Sequence, residues 1–452
     1  MTGRTRPNLV LLMADQHAAH AMSCAGSTHL RTPALDRLAA EGTRFTRAYT
    51  TFPLCVPARA SMMTGEHPHR LGVRGNRFVE VQPCRTPASL GHLLRLSGYD
   101  TAYAGKWHAP QPTVAPEDGF EVVAPFGDRD LVAAASSWLR GRSAQQRPFA
   151  LVVSFDDPHT ICEYARHQPM PYGQVPEPPP PRERPPLPRN HFRTAYESEA
   201  LRHEQQRAAA GYGTAQFTPD DWRGYRHAYA RLVERVDAGV GALLDVLDDV
   251  GLAGETLVIY TSDHGDGDAS HQWNQKTALF EETCRVPLIV RDPRAETRGV
   301  TCDALVSVGL DLLPTARRLA QPERDADEPA AGGRDLVAVA AGGAGHEEVV
   351  VETTFERPVG AGTAGRALIE PRYKYVVYGW GAHREQLFDL VDDPGELRNL
   401  AAEAAFDPVL DRMRARLLAW CRRTGDTDFC KRLVLPADVD PQVHAEIFAV
   451  PY

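Results

Sequence analysis

Lysine is the scarcest charged residue of this chain. Lysine and arginine together number 50 among the 452 residues, but lysine occurs only at positions 106, 276, 374 and 431. The formal net charge is -9 at pH 7, and such an acidic chain is unsuited to the phosphate contacts that dominate nucleic-acid binding. We therefore expect no nucleic-acid partner, and we expect the few lysines to have specific roles.

Long apolar runs and cysteine motifs are also missing. The first apolar run, "NLVLLMADQ", is interrupted by Asp15 and is too short for a signal-peptide core or a membrane span. The eight cysteines are scattered without a CxxC spacing, which favours reduced thiols, although Cys421 and Cys430 could pair. These features predict a cytoplasmic protein with no membrane partner. The oligomeric state cannot be predicted from them.

Three apolar segments end in polar residues that can bind metals. Short β-branched runs of this kind indicate strands buried on both faces of a mainly parallel sheet. Ligands of such sheets bind beyond the carboxyl ends of the strands, so the three ends predict a common site. The polar residues at these ends are Asp15 and Gln16, then Asp156, Asp157 and His159, then Asp263, His264 and Asp266.

Helical patterns alternate with these strands and predict a doubly wound α/β fold. Residues 32–42 begin with Thr-Pro and end in glycine, and residues 221–251 keep one apolar stripe. We expect a large, mixed or mainly parallel sheet flanked by helices in a catalytic domain over 1–330, with a proline-rich surface excursion at 169–190. A smaller antiparallel sheet with a helix is expected over 336–452.

The stretch "TFPLCVPARASMMTGEHPHR" places a cysteine at the start of a predicted helix. Pro57 suits the first helical turn and Gly65 suits the C-terminal stop. Cys55 therefore lies where free backbone N–H groups and the helix dipole favour negative charge and lower the pKa of a thiol. This position predicts a reactive group, whereas an unpaired cysteine elsewhere is more often buried packing.

The C-x-P-x-R motif followed by "ASMMTG" resembles the signature of type I sulfatases in the alkaline phosphatase superfamily. Further segments match that family in order: "NLVLLMADQ", "GYDTAYAGKWH", "DPH", "TSDHGD", "KTALFEETCRVPLIV", "VGLDLLPT" and "YKYVVYGWGAHREQLFDLVDDPGELRNLA". The resemblance implies that a formylglycine-generating enzyme converts Cys55 to formylglycine, whose hydrated aldehyde attacks sulfur. It implies a sulfuric ester hydrolase acting on a small-molecule or glycan sulfate ester, with sulfated sugars favoured.

The resemblance also implies one divalent cation. Its ligands would be Asp15, Gln16, Asp263 and His264, with an oxygen of the converted Cys55 completing the set. Carboxylate and amide oxygens favour calcium, while the imidazole and the neutral amide keep manganese and magnesium open. For Gln16 the alternative is a solvated strand end.

Five further residues match the family's catalytic positions. Arg59 would hold the nucleophile and a metal-bound carboxylate. Lys106 and His108 would contact the nucleophile and the sulfate oxygens, and the histidine would help to regenerate the aldehyde. His159 and Lys276 would bind sulfate and stabilise the leaving oxygen.

Asn76 resembles an additional polar substrate contact of some relatives, with a turn asparagine as the alternative. Two other functions stay open. Gln16 and His264 also fit a phosphonate monoester or phosphodiester hydrolase of the same superfamily. A non-catalytic protein that binds sulfated ligands, with Cys55 unconverted, belongs to another class.

Overall fold

An eight-stranded sheet forms the centre of the larger part of the chain. The computed structural model describes residues 6–76, 84–86, 88–111, 113–142, 147–323, 332–355 and 363–449. The spatial order of the strands is β4-β3-β5-β1-β6-β7-β2-β8, with β7 antiparallel to both neighbours and every other pairing parallel. The strands are β1 (Asn8–Asp15), β2 (Thr43–Tyr49), β3 (Asp100–Gly105), β4 (Glu121–Ala124), β5 (Phe149–Pro158), β6 (Thr256–Ser262), β7 (Leu288–Arg291) and β8 (Val300–Ser307).

Helices cover both faces of this sheet. Every residue of β1 is buried, and its alternate side chains enter two separate cores. Leu11 packs with helices α2, α4 and α10, whereas Leu12 packs with α1, α5 and α8. The helices of this part are α1 (Pro33–Glu41), α2 (Cys55–Thr64), α3 (Pro68–Leu71), α4 (Leu90–Leu96), α5 (Leu131–Arg140), α6 (Ile161–Ala165), α7 (Glu199–Gly211), α8 (Pro219–Asp249), α9 (Glu281–Cys284), α10 (Val308–Ala320) and α11 (Leu336–Ala340).

Local sequence explains the two helices that matter for the site. Helix α8 begins with a capping box in which Thr218 and Asp221 each satisfy the other's backbone N–H, and it crosses over into β6. Helix α2 ends at Gly65, whose φ of +67° is a conformation that glycine adopts without strain. Nine of its ten residues are buried, so α2 has a fixed position beneath the ends of the strands.

A four-stranded antiparallel sheet follows, in the order β12-β11-β10-β9. One face packs against helix α12, and the other packs against Tyr49, Trp273 and Phe280 of the larger part. The elements are β9 (Val349–Phe355), β10 (Thr363–Ile369), β11 (Tyr373–Tyr378), β12 (Glu385–Asp389), α12 (Asp407–Thr424), α13 (Thr427–Cys430) and α14 (Pro441–Phe448).

The predicted fold class is confirmed, including the doubly wound sheet and the smaller antiparallel sheet. The boundaries 1–330 and 336–452 stay a prediction, and part of the loose stretch 321–335 lies outside the described residues. Leu336 and Val339 pack in the core of the larger sheet, so the smaller sheet itself begins only at Val349.

The remaining expectations concern thiols and membranes. All eight cysteines are free thiols, and Cys421 shares a hydrogen bond with Cys430. None of the described helices combines the length and the apolar character needed to cross a bilayer. The proline-rich stretch 169–190 contains no strand and only a short 3-10 turn at Pro181–Glu183.

Candidate active site

The polar strand ends meet at the carboxyl edge of the large sheet, as the sequence predicts. Asp15 is the last residue of β1, Asp263 directly follows β6, and Lys106 directly follows β3. Cys55, the first residue of α2, faces the same point. Because β3, β5, β1 and β6 are parallel neighbours, their ends bring residues from distant parts of the sequence together.

Four potential ligand atoms lie within 4.8 Å of one another, from Asp15, Cys55, Asp263 and His264. His264 Nε2 is 3.8 Å from Asp15 Oδ1, 3.7 Å from Asp263 Oδ1 and 3.3 Å from Cys55 Sγ. All four residues are buried. The sulfur of Cys55 marks the position that the oxygens of a converted side chain would take.

Arg59 orients the two carboxylates. Its Nε donates to Asp263 Oδ2 at 2.7 Å, and its Nη2 donates to Asp15 Oδ2 at 3.1 Å. Its remaining nitrogen, Nη1, donates to Ser154 Oγ and to the Lys106 carbonyl, both at 2.8 Å. The guanidinium thus occupies both Oδ2 atoms and turns both Oδ1 atoms toward His264.

His264 has its ring oriented by the backbone. Its Nδ1 lies 3.0 Å from the Gly265 carbonyl oxygen, and a carbonyl can only accept, so Nδ1 carries a proton and, in the neutral form of the ring, Nε2 presents a lone pair. Only glycine fits at the next position, because a Cβ on Gly265 would lie 1.9 Å from the Glu282 carbonyl oxygen. The close approach of that backbone therefore fixes the loop carrying the imidazole.

Gln16 is held beside the cluster by Asp266. Its Nε2 donates to Asp266 Oδ2 at 2.6 Å, and its Oε1 points toward the thiol of Cys162 at 3.9 Å. Tyr225 and the Asp268 N–H also bond to Asp266, so this carboxylate organises the loop after β6. Gln16 remains a predicted ligand, with Oε1 as its only ligand atom.

Lys106 and Lys276 place two ammonium groups around the cluster. Lys106 Nζ lies 2.9 Å from Asp15 Oδ2 and 2.8 Å from Asp156 Oδ1, and Lys276 Nζ donates to Cys55 Sγ at 3.1 Å. Burial opposes the charge on both lysines, but the nearby anionic groups outweigh it and raise the pKa of each. Both lysines are therefore cations at neutral pH.

The thiol of Cys55 is shifted toward its ionised form. Burial and the Asp15 carboxylate oppose ionisation, but Lys276, Lys106 and His264 together hold the pKa of the thiol well below its ordinary value. The site therefore stabilises negative charge on the side chain of residue 55.

The pKa values of the Asp15 and Asp263 carboxyl groups are shifted in opposite directions. Asp15 is buried, but Lys106, His159 and Arg59 hold its pKa well below the usual range. Burial and the charge of Asp15 raise the pKa of Asp263 despite His264 and Arg59. A cation bound by the two Oδ1 atoms would favour the ionised form of both carboxyl groups.

The donor set fits a divalent cation. Two buried carboxylate oxygens and an imidazole nitrogen with its lone pair directed inward converge on one point, and an amide side chain lies next to them. Oxygen and imidazole donors suit calcium, magnesium and manganese in different degrees. The residues that would hold the ion are Asp15, Gln16, Asp263 and His264, with residue 55.

The other predicted residues lie at the same edge. His159 is half-buried directly after β5, and its imidazole is among the groups that lower the pKa of Asp15 and of Asp156. His108 is half-buried two residues after Lys106. Asn76 accepts the Val56 N–H at 3.1 Å, so it caps the N-terminus of α2 while also lining the adjoining cavity.

Non-glycine residues with positive φ surround the site. They are Gln16 at +70°, His108 at +49°, Gln275 at +82° and Thr277 at +76°. Each such conformation costs about 1–3 kcal/mol and persists only when the surrounding structure holds it. No sequence pattern predicts these backbone conformations. They position Gln16 beside the ligand cluster and Lys276 beside Cys55.

A cavity of 330 Å³ adjoins the nucleophile. Its lining includes Lys276 and Asn76, the α7 residues Glu204 and Arg207, and Thr354 of β9. A larger cavity of 540 Å³ lies beyond Asp157. Neither cavity is lined by Cys55 or by a predicted metal ligand, but Lys276, whose Nζ donates to Cys55 Sγ, lines only the smaller one. The smaller cavity is therefore the one positioned for a substrate.

Contacts of two residues at the site, Asp156 and Ser154, have no signal in the sequence. Asp156 was recognised as a polar strand end, but its pairing with Lys106 and with the Tyr172 hydroxyl, at 2.9 Å, was not predicted. Ser154 accepts a hydrogen bond from Arg59 and lies within a buried strand, where no sequence pattern distinguishes it. Both depend on contacts between segments far apart in sequence.

Known proteins share this architecture over nearly the whole chain. The sulfatase family model matches residues 7–322, and the model for the C-terminal part of N-sulphoglucosamine sulphohydrolase matches residues 269–423. A Delta 4,5-hexuronate-2-O-sulfatase of Bacteroides thetaiotaomicron is 28% identical, covering 97% of this chain and 92% of its own.

Solved structures agree. That of a 2-O GAG sulfatase superposes with a TM-score of 0.81 at 27% identity, covering 97% of this chain and 96% of that one. A phosphonate monoester hydrolase of Agrobacterium radiobacter gives a TM-score of 0.70 at 22% identity, covering 93% and 96%, which shows a shared fold. Because the sulfatase family model matches well over half of the residues of this chain, the chain belongs to the type I sulfatase family of enzymes.

Proposed function

We propose that this sulfatase hydrolyses the sulfate ester of a sugar, with Cys55 matured to formylglycine and one divalent cation held by Asp15, Gln16, Asp263 and His264. The observation that carries the proposal is the convergence of Cys55 with those carboxylates, the imidazole and Lys276 at one buried point. When present, the hydrated aldehyde supplies the nucleophilic oxygen and the cation withdraws charge from it.

Formal charge supports a sulfate monoester. The carboxylates of Asp15, Asp156 and Asp263 are matched by the cations of Arg59, Lys106 and Lys276, as the distances above show. With the imidazoles of His159 and His264 counted as neutral, a divalent cation then leaves two positive charges, which an ionised nucleophile and a singly charged ester balance. A phosphate monoester dianion would add an uncompensated buried charge.

The side chains around residue 55 have distinct roles in this proposal. Lys106, between Asp15 and Asp156, would hold a sulfate oxygen, and Lys276 would stabilise charge on the leaving oxygen. His159 would bind sulfate beside them. His108 would act as the base that regenerates the aldehyde.

The leaving alcohol would occupy the 330 Å³ cavity. Glu204, with its side chain 3% exposed, receives Arg207 Nε at 2.9 Å and also pairs with Arg207 Nη2. This two-point contact fixes a planar guanidinium at the cavity, where it and the carboxylate can bond to neighbouring sugar hydroxyls. The similar hexuronate and GAG sulfatases support a sugar over an aryl or lipid alcohol.

Three finer elements complete the proposal. Calcium is our first choice for the cation, because most of the ligand atoms are oxygens. A formylglycine-generating enzyme is the maturation partner. The eight free thiols support a reducing, cytoplasmic location.

The second candidate is a phosphonate monoester hydrolase. The amide of Gln16 and the imidazole of His264 favour it, and the fold, which the Agrobacterium enzyme shares, is compatible with it. Its substrate is also singly charged, so charge balance does not separate the two functions. Relative rates on the two ester classes separate them.

The experiment that tests the proposal joins peptide mass with activity. After co-expression with the maturation enzyme, the peptide spanning Cys55 should have lost its sulfur and gained an aldehyde. Cys55→Ala should abolish sulfatase activity and keep the fold, whereas the half-buried Cys302→Ala should keep both. Full activity in Cys55→Ala would overturn the mechanism.

A further inference from the structure

Strand β9 contacts both segments that carry the reactive groups. The Glu352 N–H donates to the Thr51 carbonyl at 2.8 Å, shortly before Cys55. The next residue, Thr353, donates its hydroxyl to the Thr277 carbonyl at 2.7 Å, directly after Lys276. One strand of the smaller sheet therefore holds the nucleophile segment and the lysine segment together.

Thr277 has the backbone conformation that most needs such support. It is β-branched with φ of +76°, and Gln275, on the other side of Lys276, has φ of +82°. The Thr277 N–H donates to the Pro53 carbonyl at 2.8 Å. Both backbone polar groups of Thr277 are thus bonded, one to the nucleophile segment and one to Thr353.

The supporting strand is itself anchored. Glu352 accepts from His69 Nδ1 at 2.7 Å and pairs with Arg366 at 3.3 Å, and Arg366 also pairs with Asp426 at 2.7 Å. All three charged groups of β9, β10 and the α12–α13 connection are at least nine-tenths buried, and Thr353 is fully buried. The strand therefore provides a rigid attachment point.

We propose that Thr353 is a positioning residue for Lys276. Its hydroxyl fixes the Thr277 carbonyl and so holds the Lys276 ammonium 3.1 Å from the side chain of residue 55. This inference rests on the proposed function, in which Lys276 stabilises charge on the leaving oxygen. The smaller sheet then completes the catalytic apparatus of the larger one.

The test compares matured Thr353→Val, Thr353→Ser and wild-type enzymes on aryl sulfates of graded leaving-group pKa. Thr353→Val keeps the volume and removes the donor. We expect kcat/KM to fall about tenfold for phenyl sulfate but less than about threefold for 4-nitrophenyl sulfate, mainly through kcat. Thr353→Ser, which keeps the donor, should restore the wild-type pattern.

Thr363→Val is the matched control. Thr363 is a buried threonine of the neighbouring strand β10 whose hydroxyl accepts the Gly379 N–H at 3.2 Å, away from the catalytic segments. Its loss should lower the thermal unfolding midpoint without changing the dependence on leaving-group pKa. An equal loss on every substrate in Thr353→Val, or no loss at all, would overturn the inference.

Lys276→Ala, measured in parallel, distinguishes a failure of the positioning role of Thr353 from a failure of the role proposed for Lys276. A leaving-group dependence in Lys276→Ala but not in Thr353→Val would refute the positioning role alone. Uniform losses in Lys276→Ala would refute the role proposed for the lysine. If Thr353→Val does not fold, Thr353→Cys takes its place, since a thiol is only a weak donor; a uniform response there would equally contradict the proposal.

Discussion

Two clusters of this protein each surround a buried lysine but differ in chemistry. Lys276 lies beside Cys55 and the ligand cluster, whereas Lys374 lies between Glu281 at 3.1 Å and Glu396 at 2.8 Å. Both lysines are at least nine-tenths buried.

The difference lies in what each cluster leaves available. At Lys374 the carboxylates are also used by the Tyr49 hydroxyl and by the Glu281 N–H, so the cluster joins the two sheets. At Lys276 a thiol, two Oδ1 atoms and an imidazole lone pair face one another beside a cavity. The scarcity of lysine singled out these positions, while only the motifs around Lys106 and Lys276 predicted catalysis.

The largest expected effect comes from the carboxylates of the ligand cluster. Asp263→Ala should lower kcat/KM by more than about a thousandfold, because it removes a ligand oxygen and leaves Arg59 without one of its partners. Bound metal, measured by elemental analysis, should be lost in the same variant. Glu281→Gln, in the Lys374 cluster, is the control and should retain both; an active, metal-free Asp263→Ala protein would contradict the site.

Lys276→Ala should give the next largest effect. Losses of about a hundredfold are expected on sugar or phenyl sulfates and much smaller ones on 4-nitrophenyl sulfate, because a good leaving group needs little charge stabilisation. Steady-state kinetics on both substrates provide the measurement. A larger loss on the activated ester would place Lys276 elsewhere in the reaction.

Lys374→Met should lower the stability of the protein without changing how its rate depends on the leaving group, unlike Lys276→Ala. Removing the ammonium leaves the buried Glu281 carboxylate without its cationic partner, which typically costs about 3–5 kcal/mol of the free energy of unfolding. At a temperature where the variant is folded, its leaving-group dependence should match the wild type. Urea unfolding and paired kinetics check this, and a stable variant with an altered leaving-group dependence would erase the distinction between the clusters.

A smaller effect is expected from pH at the Lys374 cluster. Burial and the carboxylates of Glu281 and Glu282 raise the pKa of Glu396 to about 8 despite Lys374, from an ordinary value of 4.5. The folded state then binds this proton more tightly, so the contribution to stability is present below 4.5 and is lost as the pH rises toward 8.

Urea unfolding of the wild type and Glu396→Gln between about pH 5 and 8 measures that contribution. The free energy of unfolding of the wild type should decline more steeply with pH than that of the variant. Parallel profiles would show that Glu396 does not retain its proton in the folded state.

The smallest effect should come from Tyr172→Phe. Its hydroxyl donates to Asp156 at 2.9 Å, and Asp156 forms an ion pair with Lys106. The proline-rich segment therefore contacts the site only indirectly, through Asp156. A loss of about two- to fivefold in kcat/KM is expected, which is less than the full contribution of a hydrogen bond to a charged group, because Tyr172 acts on Lys106 only through Asp156. A loss as large as that of Lys276→Ala would give Tyr172 a direct catalytic role.

The sequence predicted the fold and the meeting of the polar strand ends for physical reasons. Buried parallel strands are continuous apolar runs, and their carboxyl ends share one edge, so Asp15 and Asp263 could be placed without coordinates. Helix α2 was readable from its proline and its terminal glycine.

Other features had no local signal. The strain at Thr277 depends on bonds to Pro53 and Thr353, which are distant in sequence. Asn76 caps α2 through its side chain, which no pattern of spacing reveals. The closing of Asp156 onto Lys106 likewise arises only after β3 and β5 pair.

The most direct test of the central claim is a paired comparison on one fully matured preparation. It measures kcat/KM for 4-nitrophenyl sulfate, 4-nitrophenyl phosphate and a phenylphosphonate monoester, with Cys55→Ala as the blank. We expect a clear preference for the sulfate, because the second charge of the phosphate monoester disfavours its binding. A clear preference for the phosphonate would contradict it and assign the protein to the phosphonate monoester hydrolases.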